Sequence, residues 1–304
     1  MKHEPRSEEE VLSFIIRELP ASGPEVKTGI GDDCAVLRPP ATRGSLDLLK
    51  TDALVEGVHF VRGTPWHKVG WKALCRPVSD IAAMGGSPRH ALITVAAPPT
   101  WDNADWKSLY RGIGKAAREF GVSVVGGETT RSPGPVFLSV TLTGNVSKRN
   151  LKLRSGARSG DLICVTGKLG GSLKSGRHLN FQPRVAEGRW LAAERGVTAM
   201  MDLSDGLGSD LPKLAKESGC SFRIATGVIP CHLGCSVEEA ISDGEDYELL
   251  LTISPRCWAG IQTRWNKASP ELSLTPIGVM ISPEEDPSHL PPGYDHLASV
   301  SERR

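Results

Sequence analysis

The apolar positions of the chain repeat with two different periods. Val11, Leu12, Ile15, Ile16 and Leu19 recur at helical spacing and predict an amphipathic helix over residues 8–19. Residues 46–55 form an apolar run that reads as a strand, interrupted by Lys50, Thr51 and Asp52. A polar triplet inside a strand needs partners or costs stability. Trp71, Leu74, Cys75, Val78, Ile81 and Ala82 draw a helical stripe that ends at Gly85 and Gly86. Asp80 falls on the face opposite that stripe and is expected to be solvent-exposed. Pro77 lies inside the pattern and is expected to kink the helix or restart it. A strand at 91–97, a long helix at 102–120 containing Tyr110 and ending at Gly121, a short buried strand at 122–125 and an alternating strand at 137–146 complete the first half. The second half continues with a strand at 161–166, a helix at 184–195, and a helix carrying Leu207, Leu211 and Leu214 that ends near Gly219. A strand at 249–253, a helix at 255–265 and a last strand at 272–279 follow. Alternating strands and helices give an α/β (α+β) class with two similar layered halves. The boundary falls at residues 145–150, dividing the chain into domains 1–147 and 148–304.

Length and charge narrow the function classes. A chain of 304 residues can hold two domains with their own cores. With 36 basic and 35 acidic residues the formal charge is +1, and no basic face or tail offers itself to nucleic acid. No apolar run is long enough to span a membrane, and the first ten residues are too charged for a signal peptide, so a soluble cytoplasmic protein is expected. Of seven cysteines only Cys231 and Cys235, flanking His232, form a local group. It lacks a second ligand pair, which favours free thiols over zinc.

The chemistry concentrates in acidic junctions. Asp202, Asp205 and Asp210 stand in one run, residues 201–210, with no basic residue among them; Lys213 is the first cation beyond. Carboxylates this close repel one another unless a cation or water intervenes. Ser204 or Asp205 can cap the helix that follows, and for an isolated case capping would suffice. The pattern recurs four more times. Asp32 and Asp33 precede an apolar strand. Asp52 sits in the strand at 46–55, with His59 on the way out. Glu128 follows Gly126 and Gly127, whose lack of side chains allows a ligand close to the backbone. Asp243, Glu245, Asp246 and Glu248 lead into the strand at 249–253. Carboxylate oxygens are hard ligands suited to magnesium, which could bridge them to a polyphosphate. That is a metal-rich, lysine-poor route to phosphoryl transfer. The glycine-rich loop at 167–172 has its lysine in the wrong place for a P-loop, and the protein-kinase motif set is absent.

The ordered motifs resemble those of the thiamine-monophosphate kinase family. They are residues 29–35 (GIGDDCA), Thr51-Asp52 with His59-Phe60, residues 79–85 (SDIAAMG) and residues 126–130 (GGETT). Residues 154–157 (RSGA), 202–207, 244–249 and 293–296 (GYDH) complete the set, in chain order from about residue 28 to 296. Single motifs recur in the related aminoimidazole-ribotide synthase, selenophosphate synthetase and hydrogenase-maturation families, but the whole set does not. The resemblance implies a two-domain aminoimidazole-ribotide synthase-like fold whose first domain pairs with a second copy in a homodimer. It implies direct in-line transfer of the γ-phosphoryl group of ATP to thiamine monophosphate, assisted by several magnesium ions. By the same resemblance Asp33, Thr51, Asp52, Asp80, Glu128, Asp202 and Asp205 are magnesium ligands, with Asp80, Asp202 and Asp205 at the catalytic centre. Tyr110, Gly127, Arg154 and Ser204 contact ATP. His59, Glu245 and Tyr294 face the thiamine substrate, Tyr294 as a ring to stack on.

The chain departs from its family's pattern in places. Glu128 stands where aspartate is usual, and Lys50 where a small hydroxyl residue is usual. Pro77 interrupts a helix, and residues 179–184 fit the usual Arg-Pro run poorly. Two rivals therefore stand beside the kinase: another ATP-dependent synthetase of the superfamily, and a non-catalytic nucleotide-binding relative.

Overall fold

The computed structural model describes residues 26–28, 32–37 and 44–295. The helix expected at 8–19, the segment Gly29-Ile30-Gly31 and His296 lie outside the described residues.

Two sheets organise the chain. The first is built from β1 (Val26–Thr28), β2 (Ala35–Leu37), β3 (Ser45–Val55), β4 (Ser87–Ala97), β5 (Ser123–Arg131) and β6 (Phe137–Ser147), in the order β1-β2-β3-β6-β4-β5. β3 and β6 pair antiparallel along their whole length, from Ser45–Ser147 to Val55–Phe137. Only β4 and β5 run parallel, because the helix α2 (Asn103–Phe120) crosses over between them. Asp102 caps α2 through a reciprocal pair with Asp105, and Gly121 ends it at φ 68°. One face of this sheet, with Leu48, Leu54, Leu138, Val140 and Ile93, packs on the helix α1 (Trp66–Ala83) and on α2.

The second sheet, in the order β8-β10-β7-β11-β9, joins β7 (Leu162–Thr166), β8 (Val197–Asp202), β9 (Ser221–Ile224), β10 (Leu249–Ile253) and β11 (Leu274–Ile281). Every pair in it is antiparallel. Both of its faces are covered. Leu211 and Leu214 of α5 (Leu207–Glu217) pack with Val165, Met201 and Leu250. On the other face Ile261 and Trp265 of α7 (Pro255–Ala268) pack with Met200, Leu249 and Leu251, beside Leu191 of α4 (Val185–Ala193). The short helices α3 (Ser172–Ser175) and α6 (Val237–Ser242) complete the half. The layered α+β reading of the sequence therefore holds, with the sheets largely antiparallel. No helix among the described residues is long and apolar enough to cross a membrane. All seven cysteines are free.

Three local expectations give way. Asp80 is buried, because α1 lies between the two halves and has no solvent face there. Its far side meets the second half: Ser79 bonds Asp202, Trp71 Nε1 donates to the Phe181 carbonyl, and a Cβ at Gly188 would collide with the Ala82 carbonyl. Second, α1 does not restart at Pro77 but is one helix from Trp66 to Ala83, since packing on both sides outweighs one missing N–H. Third, the strand expected to be short and buried at 122–125 is a nine-residue strand, β5, exposed throughout. It is the sheet's outer strand, so only one of its edges is paired.

Candidate active site

Two of the acidic junctions and one helical aspartate converge where the halves meet. Asp33 precedes β2, Asp80 lies near the end of α1, and Asp202 is the last residue of β8. All three are buried, and one carboxylate oxygen from each lies within 4.8 Å of the others. Burial, followed by the charge of Asp33, pushes the Asp202 carboxyl up to about 7. Burial also drives Asp80 well above the usual carboxylate range, with Asp52, Asp202 and Asp33 adding to it. Asp32, buried beside Asp33, is likewise raised to about 7.

Cations from distant parts of the chain brace the cluster. Arg154 bonds Asp33 Oδ1. Lys50 Nζ donates to Asp80 Oδ1 at 2.8 Å and lies 3.9 Å from Asp52 Oδ2. Arg76 approaches Asp52 at 3.8 Å. Burial alone would lower the Lys50 ammonium, but Asp52 and Asp80 outweigh it and keep it charged. Burial would raise Asp52, yet Lys50 and Arg76 hold it below its ordinary value. Asp33 Oδ2 and Arg154 Nε remain buried without a hydrogen-bond partner. A buried acceptor left open, in a set made wholly of carboxylate oxygens, fits a hard divalent cation such as magnesium.

The run at 201–210 is arranged differently from expectation. Neither Ser204 nor Asp205 caps α5. Its N-cap is Gly206, and the Asp210 carboxylate turns back to accept the Ser204 and Asp205 N–H groups at 3.0 and 2.9 Å. Nor is the run without a counter-ion. Lys213, one turn past Asp210, reaches Asp205 at 2.6 Å and Asp210 at 3.1 Å. The Asp205 carbonyl accepts the Tyr294 N–H at 2.8 Å, so the closing GYD segment lies against the aspartate turn. A Cβ at Gly293 would collide with that same carbonyl, which explains glycine there.

The acidic segment before β10 is clamped residue by residue. Glu245 pairs with Lys72, Asp246 with Arg177 at 2.8 Å, and Glu248 with Arg184 and, at 2.7 Å, the Thr166 hydroxyl. Glu245 and Tyr247 adopt φ values of 65° and 53°, a region non-glycine residues seldom enter. These ion pairs and the stacking of Tyr247 on Phe181, 3.7 Å between ring centroids, oppose that strain. Lys72 is wholly buried, and desolvation outweighs Glu245 to bring its ammonium down to about 8.

The remaining expected residues scatter more widely. His59 Nδ1 accepts the Val55 N–H, and the His59 carbonyl accepts Lys72 Nζ, which sets His59 beside Glu245's partner. The Thr51 hydroxyl joins those of Ser139 and Thr141, on the opposite side of β3 from Lys50 and Asp52. Glu128 lies on exposed β5 in register with Thr94, bonds its neighbour's N–H, and has no ion pair among the described residues. Gly127, at φ 156°, passes so near Ile93 that a Cβ would strike its carbonyl. Tyr110 is exposed on α2. Thus Asp33, Asp80, Asp202 and Arg154 come together, Asp52 stands next to them through Lys50, and Thr51, Glu128, Gly127 and Tyr110 do not join the cluster.

Residues 31–146 match the family described as AIR synthase related protein, N-terminal domain. The thiamine-monophosphate kinase of Bacillus subtilis (strain 168) is 32% identical over 83% of this chain and 85% of its own length. That of Rhodopirellula baltica is 35% identical over 80% and 81%. This chain belongs to the thiamine-monophosphate kinase family. Among solved structures, AaThiL complexed with AMPPCP and TMP superposes with a TM-score of 0.82 at 30% identity, covering 95% of this chain and 97% of that one. Lys72, Arg76 and Arg177, paired with Glu245, Asp52 and Asp246, are the cations that sequence reading of this family member missed. Lys72 and Arg76, four residues apart on a helix read as apolar on one side, were the available signal.

Proposed function

We propose that the protein transfers the γ-phosphoryl group of ATP to the phosphate of thiamine monophosphate, giving thiamine diphosphate and ADP. The observation that carries this reading is the Asp33–Asp80–Asp202 cluster, drawn from three motifs of the family at the junction of the two halves. The solved complex of AaThiL with the ATP analogue AMPPCP and TMP supports it.

The acceptor is already an anionic phosphate, so the reaction needs positioning and charge screening more than a strong base. Magnesium supplies that screening when bound. In this reading Asp33, Asp80 and Asp202 hold one ion, and Asp52, Thr51, Glu128 and Asp205 serve ions that arrive with the nucleotide. Arg154 keeps an unpartnered buried Nε to offer a phosphate oxygen, and Ser204, Gly127 and Tyr110 complete the nucleotide contacts. His59, Glu245 and Tyr294 face the thiamine moiety, with Lys72 fixing the Glu245 carboxylate. The active form is a homodimer joined through the first half. The outer strand β5 supports this, because it leaves Val124 and Val125 exposed at an unpaired edge. The reading divides the chain at 147/148 and places the protein in the cytoplasm, where ATP is available.

The test is direct. Incubation with ATP, magnesium and thiamine monophosphate should yield thiamine diphosphate and ADP in equal amounts. ATP cleavage that releases inorganic phosphate without thiamine diphosphate would favour a synthetase. No consumption of either substrate would leave only the non-catalytic relative.

A further inference from the structure

Lys50 occupies an unusual place for a lysine. It projects from β3 in the row that holds Leu48 and Asp52, toward α1 and into the carboxylate cluster. Its ammonium donates to Asp80 Oδ1 at 2.8 Å and lies 3.9 Å from Asp52 Oδ2. Asp80 is also one of the three acids whose oxygens close to within 4.8 Å. A fixed positive charge therefore stands against Asp80, one of the three carboxylates of the cluster in which Asp33 keeps an open acceptor.

The distribution of charge around the cluster is uneven. Asp33 has Arg154, Asp52 has Arg76 and Lys50, and Asp80 has Lys50. Asp202 makes no ion pair within 4 Å among the described residues; it accepts from the Ser79 hydroxyl at 2.6 Å, and Lys50 and Arg154 act on it from farther away. A divalent ion among Asp33, Asp80 and Asp202 meets three carboxylates against the two charges of Arg154 and Lys50, and the open Oδ2 of Asp33. A second one bridging Asp80 and Asp52 would meet an ammonium at contact distance and be repelled by it.

We propose that the Lys50 ammonium takes the place of one divalent cation, so that the cluster of this chain binds a single ion where a neutral residue at position 50 would admit two. The proposal rests on the reading of the cluster as a magnesium site. It makes Lys50 a positioning residue that sets metal stoichiometry, with the expected trade of a mobile, chelatable charge for a permanent one.

Manganese serves as the probe, counted by equilibrium dialysis and by its free-ion electron paramagnetic resonance signal, with no nucleotide present. The wild-type protein should take up one ion per chain, Lys50→Ser two, and Lys50→Arg, which keeps the charge, one. Equal non-zero counts for wild type and Lys50→Ser overturn the proposal and leave the metal site standing. A count of two on the wild-type protein overturns it even where Lys50→Ser does not fold. Uptake by neither protein overturns the metal-site reading itself, and the proposal with it.

Discussion

The Ser79 hydroxyl donates to Asp202 Oδ2 at 2.6 Å, a contact between residues 123 positions apart. Ser79 belongs to the helix that backs the first sheet, and Asp202 ends a strand of the second. The bond joins the two halves beside the acidic cluster. Relative movement of the halves would therefore change the spacing of Asp33, Asp80 and Asp202.

Asp202→Asn tests the cluster. The amide keeps the size and a hydrogen bond to Ser79 but removes the one acid of the three with no ion pair within 4 Å among the described residues. The expected result is a fall in kcat of about 10²–10³, the scale of losing one preorganised electrostatic contact. Melting temperature should hold or rise, because a buried charge that burial disfavours is gone. A folded variant with wild-type kcat would remove Asp202 from the reaction.

The raised carboxyls give a pH signature. Asp202 and Asp32 move from an ordinary value of 3.8 to about 7 on folding. Between those values the folded chain binds more protons than the unfolded one, so stability falls as pH rises through that window. In chelator-treated protein the melting temperature should drop from pH 5 to pH 7. Saturating magnesium should flatten the profile by stabilising the ionised acids. A metal-free profile that rises over this range would contradict the arrangement.

Lys72→Met leaves Glu245 without its cation in a largely buried setting. Breaking such a pair typically costs about 3–5 kcal/mol. The Glu245 segment, held at positive φ, should relax, raising KM for thiamine monophosphate more than it lowers kcat. Denaturant melts and steady-state kinetics check the two parts. An unchanged KM would separate Glu245 from the substrate.

Glu128 tests the outer strand. Because it is exposed and braced only by its neighbour's N–H, neither Glu128→Asp nor Glu128→Ala should alter the melting temperature appreciably. If it serves a nucleotide-borne ion, Glu128→Asp should keep kcat within about tenfold, near 1.4 kcal/mol, and Glu128→Ala should lose more. Equal rates for all three proteins would end its ligand role.

Association through β5 is open to measurement by light scattering at micromolar concentration, where a dimeric mass is expected. Val125→Lys, placing a charge on the unpaired strand, should shift the mass to that of a monomer. A wild-type monomer would dispose of the dimer.

Local order alone settled much of this protein. The periodicities of residues 46–55, 102–120, 137–146 and 249–253 placed strands and helices close to where they form, because each element's buried face is written in its own spacing. The acidic junctions pointed to a site because clustered carboxylates at strand ends are costly without a partner, and two of them, at Asp33 and Asp202, meet in the cluster. Partnership was not legible. Asp80 looked exposed because the stripe on α1 records its contact with the first sheet; beside Asp80 the second half closes the other side through the Ser79–Asp202 bond and the close approach of Gly188 to the Ala82 carbonyl, which leave no signature in the spacing. Lys50, Arg76, Arg154 and Lys213 reach their acids by side chains several ångströms long, so their pairing depends on which elements the fold sets side by side. Glu128 and Asp202 carry the same kind of motif, yet one stands on an exposed outer strand and the other in a closed cluster. That difference comes from strand order, which burial and backbone pairing decide over the whole chain at once.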